Sequence, residues 1–456
     1  MQLPPDFIAR TGRWMTDFPL LETALQDKPP VSIRINPVKS PSALPCEQVK
    51  WCRTGYYYTG ERPAFSFDPL FHGGAYYVQE ASSMFLEQVV GQHVSSPVAC
   101  LDLCASPGGK STHLLSILPE GSVLVSNEVI RSRCAVLTEN ILKWGAANVL
   151  VTNSDAAEAG RLTHLFDLIV ADMPCSGEGM FRKDAHSRSE WSAARVRLCA
   201  GRQRRIVRDV WDALRPGGLF VYSTCTFNRE ENEDNIRHIA ETLHARALPL
   251  SVEAGWNIAC GADDRYPSYR FSPHRTKGEG FFLAVLRKAD APLRRISVRT
   301  KNKSQKPPAQ LCEWLRRPEM FRFETTCRDV IHAVPDHARD VFETVSERLH
   351  LLSAGIPAGQ VRGRDVVPSH ALALSAALRP DAFPTVEQTW DEAVRYLQRE
   401  TPALHEGMPK GLYTVTYRRL PLGFARNIGS RINSLYPQEW RIRSREVPAE
   451  APRIFP

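Results

Sequence analysis

Between residues 96 and 290, short apolar runs alternate with longer segments of helical character, and no other feature of the chain restricts its fold as much. VACLDLC (98–104) leads into KSTHLLSIL, and SVLVSNE (122–128) leads into RSRCAVLTENILKWG. NVLVTNSD (148–155) and FDLIVADMP (166–174) follow. GLFVYSTC (218–225) comes after a long helix-like stretch ending in LRPGG, and YRFSPH and GFFLAVLRK close the segment. Strands alternating with helices predict an α/β fold, a doubly wound, Rossmann-like parallel sheet covered on both faces. Such sheets bind ligands at the carboxyl ends of their strands. Asp102, Glu128, Asp155, Asp172 and Cys225 fall at those ends.

A chain of 456 residues is too long for one ordinary core, so further domains are expected. Residues 1–95 form a distinct unit, with strand-like VSIRINPVK and aromatic-rich WCRTGYYYTG. The stretch ADAPLRRISVRTKNKSQKPPAQ (289–310) is basic, proline-rich and without amphipathic period, which predicts a linker region over 291–330. Such a segment can also serve as a phosphate-contacting arm. Residues 331–456 form a C-terminal region in which YTVTYRRLPLGFARN and SLYPQEWRIRS read as strands carrying arginines and aromatics, a mixture suited to phosphate contact and base stacking.

The composition excludes several classes. No run of eighteen apolar residues exists, so no membrane span is expected, and MQLPPDFIARTGRWM lacks the apolar stretch of a signal peptide. Eleven cysteines, none in a C-x-x-C pair, argue for reduced thiols, no metal and a cytoplasmic location. The net charge of +8 leans mildly toward a polyanionic partner.

DLCASPGGKS (102–111) joins a strand to a helix. Its Pro107-Gly108-Gly109 turn lets backbone approach a ligand, and the following helix start offers free N–H groups. It is not G-x-G-x-x-G, and a P-loop would need glycine where Cys104 stands, which argues against a triphosphate hydrolase. Glu128, about twenty residues on, can accept both ribose hydroxyls of an adenosine. Asp155 can receive the adenine amino group. Two more strands end in Asp172-Met173-Pro174-Cys175 and Ser223-Thr224-Cys225. One cysteine at such an edge reads as structural; two at the same edge read as a functional pair. A zinc deaminase also carries Pro-Cys but needs a second cysteine three residues on and a H-x-E partner, both missing here.

SIRINPVK, FHGGAYYVQEASSM, DLCASPGGKS, DMPCSGEGMFRKD, STCTFNREENE and PHRTKGEGFFLAVL together resemble the Nol/Nop/Sun (Fmu) family of RNA cytosine-5 methyltransferases. The resemblance implies a class I methyltransferase domain over 96–290, an α+β RNA-binding subdomain over 1–95, and a PUA-like RNA-binding module at the end of 331–456. It implies S-adenosylmethionine as cofactor, contacted by Cys104, Ala105, Ser106, Pro107, Gly108, Gly109, Lys110, Glu128, Arg133, Asp155 and Asp172. It further implies RNA as partner, small-subunit (16S) ribosomal RNA by overall architecture, with no membrane and a monomeric enzyme. Transfer RNA and a non-catalytic role in ribosome assembly are the alternatives.

Carbon 5 of cytosine is too weak a nucleophile to attack a methyl sulfonium unaided. A thiolate added at carbon 6 activates it. The residues leave the order of the two cysteines open; the resemblance makes Cys225 the nucleophile and Cys175 the group that assists release. A thiol of pKa about 8.5 needs nearby positive charge, for which Lys110 and Lys183 are candidates. Asp172 is expected at the cytosine amino group or ring nitrogen.

Overall fold

The computed structural model describes residues 2–40, 44–291, 308–325, 329–363, 365–401 and 408–455. A ten-stranded sheet lies at its centre. Five parallel strands make the middle, in spatial order Leu214–Thr224, Phe166–Asp172, Ala99–Asp102, Val123–Asn127 and Val149–Thr152. The chain starts at Ala99–Asp102, builds outward on one side, then crosses back and builds on the other. The crevice between Ala99–Asp102 and Phe166–Asp172 is therefore the switch point at which such sheets take their ligands. Phe281–Arg287 and Tyr269–Phe271 extend the sheet antiparallel beyond Leu214–Thr224.

The doubly wound α/β expectation holds, for a simple reason. Successive side chains on a strand face opposite ways. Leu101, Ile169 and Phe220 lie buried in one core, whereas Cys100, Leu168 and Val221 lie in the other. Two apolar faces require two helical covers. LRPGG differs slightly from expectation: the helix Ala193–Val210 stops earlier, and these residues open the strand Leu214–Thr224.

The N-terminal residues form a three-stranded antiparallel sheet of Gly55–Tyr58, Val31–Ile35 and Tyr76–Val78. Arg34 fastens it to the central domain. Its buried guanidinium donates to Gln79 Oε1 at 2.7 Å and Thr112 Oγ1 at 2.6 Å, and lies 4.5 Å from the centre of the Trp144 ring. Burial lowers its pKa to about 10, against the opposing pull of nearby Cys52, Tyr77 and Glu87.

Three C-terminal expectations need correction. First, Leu351–Ala354 pairs antiparallel with Val149–Thr152, so the central sheet takes a strand from beyond the expected limit at 290. That strand covers what would otherwise be an open sheet edge. Second, part of the expected linker is folded. The helix Ala309–Trp314 buries Leu311, and Phe321–Thr325 pairs with Val330–Pro335 in a four-stranded sheet. Most of the basic segment, 292–307, lies outside the described residues. Third, YTVTYRRLPLGFARN does form the hairpin Gly411–Tyr417 and Leu420–Asn427, but SLYPQEWRIRS is not a strand. Only Ser434 ends one, and Pro437 leads into a short turn, Gln438–Trp440. No described helix is long and apolar enough to cross a membrane.

Candidate active site

The strand Ala99–Asp102 runs into a loop that ends at Gly108 (φ +112°), from which the helix Gly109–Ile117 starts. That backbone region favours glycine. Cys104, Ala105, Ser106, Pro107, Gly109, Lys110 and Asp172 line one wall of a cavity of about 190 Å³, and Tyr77 and Gln79 from the N-terminal unit line the other.

The acidic residues differ in how far they are engaged. Asp102 is buried; its Oδ2 accepts from Ser111 Oγ at 2.6 Å, while Oδ1 has no partner among the described residues. Burial pushes its pKa up to about 7. Glu128 is buried, accepts from the Ile130 N–H at 2.8 Å and lies 3.5 Å from the Arg133 guanidinium. Arg133 also donates to the Ser106 carbonyl at 2.7 Å, which ties this strand end to the glycine loop. Asp155 is exposed and does not line the cavity; through Oδ1 it caps the helix Ala156–Gly160 in a reciprocal box with Glu158.

The two cysteines meet. Cys175 Sγ and Cys225 Sγ are 3.2 Å apart, each just beyond its strand. Lys110 Nζ lies 2.8 Å from Asp172 Oδ2, and Ser223 Oγ donates to Asp172 Oδ1 at 2.8 Å. Burial works against the Lys110 charge, but Asp172, Asp102 and Cys225 outweigh it and hold the ammonium above its ordinary range. Lys183 is engaged elsewhere, with Nζ 3.5 Å from Glu279. The Cys175 thiol is pushed up by its hydrogen bond to Cys225, then by burial, with Glu231 adding to the effect.

Two buried carboxylates that sequence reasoning missed join the cysteine loops. Glu178 accepts from the Phe227 and Asn228 N–H groups, both at 2.8 Å, and from Trp191 Nε1 at 3.0 Å. Glu231 accepts from the Ser176 N–H at 3.0 Å and from Gln203 Nε2 at 2.7 Å. The loops approach closely at Gly179, where a side-chain carbon would stand 2.9 Å from the Cys225 carbonyl. Both acids lie inside the two cysteine motifs, but neither is at a strand end, where position alone would have marked it.

Residues 93–287 match the family model described as 16S rRNA methyltransferase RsmB/F. Residues 3–81 match that of the N-terminal domain of 16S rRNA methyltransferase RsmF, and 383–442 that of the methyltransferase RsmF PUA domain. The chain is 29% identical to the Ribosomal RNA small subunit methyltransferase F of Escherichia coli over 449 residues, covering 90% of this chain and 89% of the relative. The protein of that name from Shewanella loihica is 28% identical over 438 residues, covering 90% and 88%. Among solved structures, a methyltransferase homolog protein from Pyrococcus horikoshii is 25% identical with a TM-score of 0.52, covering 63% of this chain and all (100%) of that one. The structure described as NSun6 from Pyrococcus horikoshii with SFG shares the fold at 20% identity and a TM-score of 0.53, covering 63% and 99%.

Proposed function

The chain belongs to the RsmB/F family of S-adenosylmethionine-dependent methyltransferases, and on that premise we propose that it methylates carbon 5 of a cytosine in 16S ribosomal RNA through a covalent bond to Cys225. The observation that carries this reading is the 3.2 Å approach of two thiols at the switch-point edge of the sheet, beside the Lys110–Asp172 pair. A single nucleophile would need no second thiol there.

The residues fit the cofactor. The loop from Cys104 to Lys110 would take it against backbone, and Glu128, Arg133, Asp155 and Asp172 would contact its polar groups. The unpartnered Oδ1 of Asp102 offers a buried acceptor for an ammonium or hydroxyl donor. Bound S-adenosylmethionine supplies an electrophilic methyl group.

The chain's own groups supply the rest. The Cys225 sulfur bonds to carbon 6 of the cytosine, and the electron pair of the 5,6 double bond moves to carbon 5, which would take the methyl as its bond to the cofactor's sulfur breaks and S-adenosylhomocysteine is left. Lys110 places positive charge near Cys225. Asp172, held by Lys110 and Ser223, faces the cytosine amino group or ring nitrogen as charge develops. The carbon 5–hydrogen bond then breaks, and its proton passes to the Cys175 sulfur. The electron pair of that bond restores the double bond and expels the Cys225 sulfur.

The substrate assignment rests on the relatives' names and on the match of all three segments. In this reading residues 1–95 and the PUA-like end of 331–456 hold RNA around the central domain at 96–290. The enzyme works as a cytoplasmic monomer on rRNA of the small subunit. Bisulfite sequencing of RNA from cells with and without the gene tests it. One 16S cytosine should lose its protection when the gene is absent; loss confined to transfer RNA, or no loss at all, would contradict it.

A further inference from the structure

A polar cluster behind Cys175 takes no part in the scheme above. Glu231 is fully buried, and no cation is among the described groups that act on it. Its carboxylate is held by N–H donors: Ser176 N at 3.0 Å, Gln203 Nε2 at 2.7 Å and Asn228 Nδ2 at 2.7 Å. Gln203 Nε2 also donates to the Pro174 carbonyl at 3.1 Å. The residues on both sides of Cys175 are thus gripped by one Gln–Glu pair. That pair is fixed in turn, because Gln203 Oε1 accepts from Tyr222 OH at 2.9 Å and Asn235 Nδ2 at 2.8 Å.

We propose that Gln203 and Glu231 are positioning residues that hold Cys175 in register with Cys225, and that the Glu231 charge suits Cys175 to be the member of the pair that accepts the proton. This deepens the reaction scheme and rests on it for the meaning of the two roles. A carboxylate near a thiol disfavours a second negative charge. The titratable groups around Cys175 are Cys225, Glu231 and Tyr222, and those around Glu231 also include Glu178 and Cys199. Lys110, the cation of this site, acts on Cys225 and pairs with Asp172. The two sulfurs, although 3.2 Å apart, therefore have different neighbours, the Glu231 carboxylate behind Cys175 and the Lys110–Asp172 pair beside Cys225. One sheet edge carries two thiols with divided labour.

The test follows alkylation of Cys175 by iodoacetamide against pH in the full-length protein, read by peptide mass spectrometry in a Cys225→Ser background. Adding Glu231→Gln should move the Cys175 profile to lower pH and speed its alkylation at a fixed pH below the midpoint by about tenfold. An unchanged profile overturns the charge assignment. Gln203→Met, made with Cys225 intact, releases the Pro174 carbonyl and leaves Glu231 in place with its Ser176 and Asn228 donors. It should leave the Cys175 midpoint in place and raise severalfold the enzyme trapped on RNA during turnover; no rise in trapped enzyme overturns the register role. This variant also carries the test if Glu231→Gln does not fold. Wild-type enzyme that never forms an RNA adduct would defeat the reaction scheme instead, and the alkylation profile is independent of that result.

Discussion

The two sides of the crevice are finished to different degrees. On the cysteine side, Glu178 and Glu231 are buried and surrounded by donors from Ser176, Trp191, Gln203, Phe227 and Asn228. On the glycine-loop side, among the described residues, Asp102 keeps one buried oxygen without a partner, and Glu128 has only the Ile130 N–H at hydrogen-bonding distance and Arg133 at 3.5 Å. Groups that must act in a fixed geometry gain from being oriented in advance. Groups that receive a ligand keep acceptors in reserve, because a buried acceptor without a partner is costly until one arrives. In the proposed scheme, the contrast separates the side that does chemistry from the side that binds.

Substitutions on the two sides should therefore fail differently. The largest effect is expected from Cys225→Ala, which should reduce methyl transfer on the order of 10³-fold or more while leaving cofactor affinity by calorimetry close to wild type. Glu178→Ala should come next, as a stability defect. It strands the Phe227 and Asn228 N–H groups and the Trp191 indole, at a cost of about 3 kcal/mol or more in urea unfolding, with or without cofactor.

Asp102→Asn should do the reverse, weakening cofactor binding with little loss of fold. The folded-state pKa of Asp102 is raised from its ordinary value of 3.8 to about 7 by burial. Its contribution to stability is therefore complete below about pH 4 and is lost as pH rises toward 7. Wild type should lose stability relative to Asp102→Asn across that window in thermal melts, and a parallel pair of curves would refute the assignment. Asp155→Ala should be mildest. Loss of the cap should cost about 1 kcal/mol. If its other role is to receive the adenine amino group, cofactor affinity should fall as well; unchanged affinity would leave it a cap alone.

The sheet and its ligand edge were legible because a buried parallel sheet needs continuous apolar runs, and its few polar strand ends stand out against them. Asp102, Asp172 and Cys225 announce themselves in that way. Leu351–Ala354 does not. It is a four-residue edge strand arriving from far along the chain, and nothing local says which sheet it joins. Gln203 escaped for a related reason: on the helix Ala193–Val210, among six arginines, a buried amide reads like any surface polar residue. SLYPQEWRIRS misled because aromatic content suggests a strand, while Pro437 cannot donate to a ladder and the chain turns there. Glu231 was hidden in plain view, in an acidic run that looks solvated until the fold turns it inward.

The division of labour between the cysteines is tested most directly by incubating Cys175→Ala and Cys225→Ala with 16S rRNA and S-adenosylmethionine and running both on a denaturing gel. Cys175→Ala should give a slow, ribonuclease-sensitive band of enzyme bonded to RNA, and Cys225→Ala should give none. A band from Cys225→Ala alone would reverse the roles, and normal methylation by Cys225→Ala would rule out the covalent route.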